Sequence, residues 1–184
     1  MSKLVEKSPG TPFSGRKDRC SNIVLVGMPG SGKSTVGVLL AKTLCCGFID
    51  TDILIQDRTG RSLQAVVDSD GPSVLREIEE EVILKLHVRN HVIATGGSAI
   101  HSVAAMKHLR AAGVVVFLDV ALDVITKRIR DFSTRGIAMN RGQNFPGLFE
   151  ERFPLYRAHA DLVVECSHLS HDETRDAIVR AILV

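Results

Sequence analysis

The sequence predicts an α/β fold in which a mainly parallel sheet carries helices on both faces. Short apolar runs alternate with stretches of helical spacing along most of the chain, and the first run leads through a glycine-punctuated loop into a helix. The 184 residues suit one domain with a sizeable core. That domain spans 22–184. Before it, Lys3, Lys7, Arg16, Lys17 and Arg19 stand among Pro9, Gly10, Pro12 and Gly15, which breaks helix and strand periodicity alike. Segment 1–21 is therefore expected to be a flexible tail.

Residues 23–26 form the first expected strand and 33–44 the helix after the loop. Further strands are expected at 47–51, 91–95, 114–120 and 161–165, with helices at 73–88, 103–112, 122–130 and 148–156. Ser170 and Glu173 make an S-x-x-E capping box that opens a last helix reaching about 183. Two regions interrupt the alternation. Residues 53–86 hold more than one helix before the next strand, enough for a substrate-binding lobe. Residues 131–147 contain Gly136, Gly142, Pro146 and Gly147 with Arg135, Arg141 and few apolar groups, which suggests a moving lid.

Composition removes several classes of function. With 23 Lys+Arg against 21 Asp+Glu, a net charge of +2, 4% aromatics and no Trp, neither an electrostatic nor a stacking nucleic-acid surface is expected. No 18-residue apolar run and no signal-like leader appear, so no membrane role is expected. Cys20, Cys45, Cys46 and Cys166 form no C-x-x-C pair, which favours a reducing, cytoplasmic setting. Cys45 and Cys46 are expected to pack as small apolar groups. The seven histidines show no metal-binding spacing. No coiled-coil seam or unusually apolar face identifies a partner surface, so the sequence does not encode the oligomeric state; a monomer is the expectation adopted.

Gly27-Met28-Pro29-Gly30-Ser31-Gly32-Lys33-Ser34 fits G-x-x-x-x-G-K-[ST], with a strand before it and a helix after. Backbone N–H groups of such a loop converge on phosphate oxygens, and the following helix points its positive end at them. Gly30, Ser31 and Gly32 supply the cradle, Lys33 a mobile charge for the terminal phosphates, Ser34 a hydroxyl ligand for magnesium, and Thr35 a further phosphate contact. Asp50 and Asp52 close the second strand, where i and i+2 share a face, so both acids are expected in one crevice beside the loop. Asp50 would hold a magnesium-bound water. Asp52 would orient the attacking hydroxyl or take its proton.

The ordered set G-M-P-G-S-G-K-S-T, F-I-D-T-D, L-R-E-I-E, A-T-G-G and R-F-P-L-Y resembles the shikimate kinase family from about 22 to 183. The resemblance implies a P-loop NTPase of three α/β/α layers around a five-stranded parallel sheet, with a substrate lobe and a lid. It also implies transfer of the ATP γ-phosphoryl group to the 3-hydroxyl of shikimate, with magnesium. Arg76 and Arg152 match arginines that grip the substrate carboxylate, and Glu79 would steady Arg76 from one turn away. Gly96 and Gly97 match backbone that meets the substrate, Arg128 an arginine stacked on adenine, and Arg135 the lid arginine at the transferring group.

The chain departs from the family pattern in two places. Gly96-Gly97-Ser98 stands where three glycines are usual, and Arg135-Gly136-Ile137-Ala138 where the lid usually reads R-P-L-L. Both lie toward the acceptor, so a related phosphotransferase for another small hydroxy acid such as homoserine stays open. So does a nucleotide-binding regulatory module without transferase activity.

Overall fold

The computed structural model describes residues 5–7, 21–129, 136–140 and 142–183. Strands β1 (Val5–Lys7), β2 (Asn22–Val26), β3 (Gly47–Asp50), β4 (His91–Ala94), β5 (Gly113–Asp119) and β6 (Leu162–Glu165) form one sheet in the order β1-β6-β5-β2-β4-β3. Every neighbouring pair is parallel except β1 with β6. The sheet thus has six strands where five were expected, the extra one being antiparallel. It comes from the leader: Val5 pairs with Val164 and Lys7 with Leu162, although the sequence there suggested no element. Residues 8–20 of the expected tail lie outside the described residues.

Helices α1 (Lys33–Leu44), α2 (Thr51–Thr59), α3 (Leu63–Asp70), α4 (Pro72–Leu84), α5 (Val103–Ala112), α6 (Leu122–Arg128), α7 (Phe145–His159) and α8 (His171–Leu183) complete the fold. Their ends follow local side-chain chemistry. Ser62 accepts a hydrogen bond from the Ala65 amide, Ser102 from Ala105 and Asn144 from Gly147. The capping box of α8 is complete: Ser170 N–H donates to Glu173 Oε2 at 2.8 Å and the Glu173 amide to Ser170 Oγ at 3.2 Å. Because Asn144 fixes the start of α7, Asn144→Ala should cost about 1 kcal/mol. Thermal unfolding should read this as a Tm drop of about 2–4 °C.

Several local expectations are corrected. The segment 145–147, read as lid, is the first turn of α7, with Pro146 tolerated where no intrahelical N–H bond is needed. Cys45 is exposed and ends α1 in the left-handed region at φ 51°, while half-buried Cys46 packs on the core.

Two apolar cores form among the described residues. The larger lies on both faces of β2, β4, β5 and β6 and includes Val24, Leu25, Ile93, Val116 and Phe117. Phe117 stacks on Tyr156 of α7 with centroids 5.2 Å apart. The smaller belongs to the lobe of α2, α3 and α4, built on Ile55, Val66, Leu75 and Val82. Ala138 is buried in this second core, whereas its neighbour Ile137 packs into the first. The described part of the lid is thereby seated between the sheet domain and the lobe. No helix among the described residues is long and apolar enough to cross a membrane.

Candidate active site

A cleft of about 680 Å³ opens between the glycine loop, the lobe and the described lid residues. Its floor is set by strand ends tied together through buried threonines. Thr95, after β4, donates from both N–H and Oγ1 to Leu25 O, at 3.1 and 3.0 Å. Thr51 Oγ1 accepts the Gly96 amide at 2.9 Å. These bonds align the carboxyl ends of β2, β3 and β4, where an open α/β sheet presents its ligand crevice.

Pro29, Gly30, Gly32, Lys33, Ser34 and Thr35 line the loop end. Gly32 is the N-cap of α1, at φ 98°, and neither a capping side chain nor a first-turn acid occupies that helix end. Its amides and dipole are free for an anion, the arrangement that binds phosphate. Lys33 Nζ donates to Gly27 O at 2.8 Å and Met28 O at 2.9 Å, which leaves one donor of the ammonium for a ligand. Burial pushes Lys33 down to about 8 despite the pull of Asp52, Asp50 and Glu79. Ser31 is turned under the loop: its hydroxyl is buried, without a partner, and outside the cleft lining. Half-buried Arg128 lines the same end. Arg135 lies outside the described residues.

The two aspartates are not equivalent, and the strand reading of Asp52 is corrected. Asp50 ends β3 and caps α2, its Oδ1 accepting the Asp52 amide at 3.0 Å. Asp52 lies in the first turn of α2 and lines the cleft, while buried Asp50 sits behind it. Burial, reinforced by Asp50, raises Asp52 to about 6. Both acids act on Lys33, so one electrostatic unit joins loop and acids.

At the far end Arg152 is 1% exposed, a guanidinium deep in the molecule. One Nη donates to Ala138 O at 2.6 Å, but Nε has no partner. No carboxylate among the described residues forms an ion pair with it. A buried cation left unpaired is costly unless a ligand anion completes it. Gly97 packs against it, a Cβ there falling 3.1 Å from an Arg152 Nη, and Gly97 O accepts the Tyr156 hydroxyl at 2.6 Å. Arg76 is placed elsewhere. It is half-buried, donates to Pro72 O at 3.2 Å and Asn140 Oδ1 at 2.9 Å, and lines a separate hollow.

Glu79 does not hold Arg76. It is buried beside Gly96, bonded to Ser98, and raised to about 7 by burial. A Cβ on Gly96 would overlap its Oε1 and fall 2.8 Å from Asp52 Oδ1, so any side chain there would displace both carboxylates. His171 carries no sequence signal as a site residue. It lines the loop end, and a Cβ on Gly32 would lie 3.1 Å from its Nε2. Scattered histidine spacing carries no signal for a contact made across the fold.

Magnesium fits this donor set. Ser34 offers an exposed hydroxyl and Asp50 a carboxylate one layer back, both hard oxygen donors. No cluster of three or more His, Cys, Asp or Glu side chains able to hold a metal exists among the described residues. So sparse a protein donor set suits a cation that keeps water and phosphate ligands.

Comparison with known proteins places the chain among its relatives. A sequence profile described as shikimate kinase matches residues 29–183. A shikimate kinase of Paracidovorax citrulli is 41% identical over 78% of this chain and 81% of its own. That of Caldanaerobacter subterraneus is 34% identical over 87% and 95%. Among solved structures, shikimate kinase from Acinetobacter baumannii in complex with shikimate superposes with a TM-score of 0.82 at 31% identity, covering 89% of this chain and 93% of that one. The enzyme of Aquifex aeolicus gives 0.75 at 32% identity, covering 87% and 95%. The glycine loop, the acid beside it, the buried arginine and these likenesses lead to one conclusion: the chain belongs to the shikimate kinase family.

Proposed function

We propose that this protein phosphorylates the 3-hydroxyl of shikimate with ATP. The reading is carried by one juxtaposition: an uncapped helix end with Lys33, and a buried arginine, Arg152, that forms no ion pair among the described residues, line the same cleft with Asp52. One pole suits a polyphosphate and the other a small carboxylate. Amides from Gly30 to Thr35 and the Lys33 ammonium hold the phosphates, and Arg128 and His171 flank the outer part of the nucleotide. Arg152 fixes the acceptor carboxylate, with Gly96 and Gly97 allowing its ring close to the backbone. Asp52 receives the acceptor hydroxyl's hydrogen bond. As the oxygen bonds to the γ-phosphorus and the bond to ADP breaks, the proton passes to Asp52 and then to solvent. Ser34, with Asp50 acting through water, would hold magnesium, which would supply charge neutralisation on the phosphate oxygens. Arg135, which matches the family's lid arginine, is assigned to the same charge neutralisation. Arg76 closes the carboxylate end from its hollow beside Ser98.

The cysteines support a reducing, cytoplasmic setting, since Cys166 is buried and Cys45 an exposed thiol. We read the protein as a monomer acting on free small molecules. An ADP-release assay across shikimate, homoserine, gluconate and quinate tests the assignment. Saturable turnover is expected with shikimate. Turnover on homoserine with none on shikimate would replace it, and ATP binding without turnover on any acceptor would favour a regulatory module.

A further inference from the structure

Ser98 stands in the partition between two cavities. It borders the main cleft and also a hollow of about 180 Å³ that contains Arg76 and His101. It is 7% exposed, and its hydroxyl is hydrogen-bonded to Oε2 of Glu79, a residue itself 2% exposed. The other carboxyl oxygen, Oε1, has no partner and lies against Gly96, beside Asp52 Oδ1. Arg76, three positions earlier on α4, is turned to Asn140 instead. A glycine, the usual residue here in the resemblance, has no hydroxyl with which to hold the acid.

A carboxyl anchored through one oxygen loses its freedom to rotate, so its second oxygen acquires a fixed direction. We propose that Ser98 is a positioning residue for acceptor recognition: its hydroxyl holds Glu79 apart from Arg76 and aims Oε1 at the acceptor's hydroxyl groups. The proposal rests on the kinase reading above. The charged or titratable groups facing Glu79 are Asp52 from α2, Lys33 from α1, and Arg152 and Tyr156 from α7. Burial raises Glu79, whereas the Ser98 bond favours its ionised form. Loss of the hydroxyl therefore raises Glu79 further and leaves its carboxyl free to turn.

Steady-state kinetics of wild type, Ser98→Ala, Ser98→Gly and Glu79→Gln with ATP and shikimate, across the pH range in which Glu79 titrates, test this. Both Ser98 variants should raise shikimate KM about tenfold while leaving ATP KM and kcat within about twofold. The acidic limb of kcat/KM for shikimate should move to higher pH in Ser98→Ala, and adding Ser98→Ala to Glu79→Gln should move it no further. An unchanged shikimate KM and pH limb in both Ser98 variants overturns the role. An equal rise in ATP KM does so too, because that signals general loosening. A wild-type enzyme inert toward shikimate would defeat the kinase reading first, and this proposal with it.

Discussion

Lys33→Met should abolish measurable phosphoryl transfer, lowering kcat by about a thousandfold or more, and yet leave a protein at least as stable as the wild type. The catalytic loss follows from removing the one ammonium that the loop directs at the phosphates, where charge accumulates in the transition state. The stability side follows from burial. Lys33 is held at about 8 in the fold against an ordinary 10.5, so its ionised form is penalised there on the order of 3 kcal/mol. Below about pH 8 both folded and unfolded chains carry the proton, and the penalty is fully present. Between there and 10.5 the unfolded chain binds the proton more tightly, so stability rises with pH. Methionine removes the penalty at the cost of two hydrogen bonds, to Gly27 O and Met28 O. Urea unfolding of both proteins at neutral pH and near pH 10 checks this. The stability gap should narrow as pH rises, and a strongly destabilised variant at neutral pH would count against it.

Arg152→Ala should raise the acceptor KM about a hundredfold and disturb ATP KM little. Arg76→Ala should raise it by less than about tenfold. The contrast rests on where each guanidinium already spends its donors. Arg152 is buried and keeps Nε unengaged, so a carboxylate there gains a charge-assisted bond in a water-poor setting. Arg76 is half-buried and committed to Pro72 O and Asn140. Initial-rate measurements with shikimate varied at saturating ATP give both constants. A larger effect at Arg76 would mean that it swings into the cleft when the acceptor binds. Arg152→Lys should recover only part of the loss, because an ammonium lacks the planar fork.

What the sequence revealed and what it concealed follow the range of the interactions. The boundaries of α1 and α5 coincide with the expected ones because glycine loops and serine caps are local signals. F-I-D-T-D was harder. Two acids spaced by two satisfy strand alternation, yet the same letters encode a helix cap followed by a first-turn acid, and the Asp50 side chain selects the latter. Pro146 and Gly147 read as loop until Asn144 is seen to cap the helix they begin. Val5–Lys7 gave no periodicity at all, since its pairing with β6 spans nearly the whole chain. In the site, the loop and Arg152 were legible through their motifs. The Ser98–Glu79 bond and the packing of His171 over Gly32 were not, because neither leaves any spacing to recognise.

The short antiparallel strand Val5–Lys7 has a practical consequence for handling the protein. Without it, β6 would present a row of unsatisfied amides and carbonyls at the rim of a strongly apolar sheet, a template for self-association. The Arg157–Glu6 contact at 2.7 Å fastens that cover to α7. Preparations trimmed beyond Lys7 therefore invite aggregation, and purification handles are better fused to the carboxyl end.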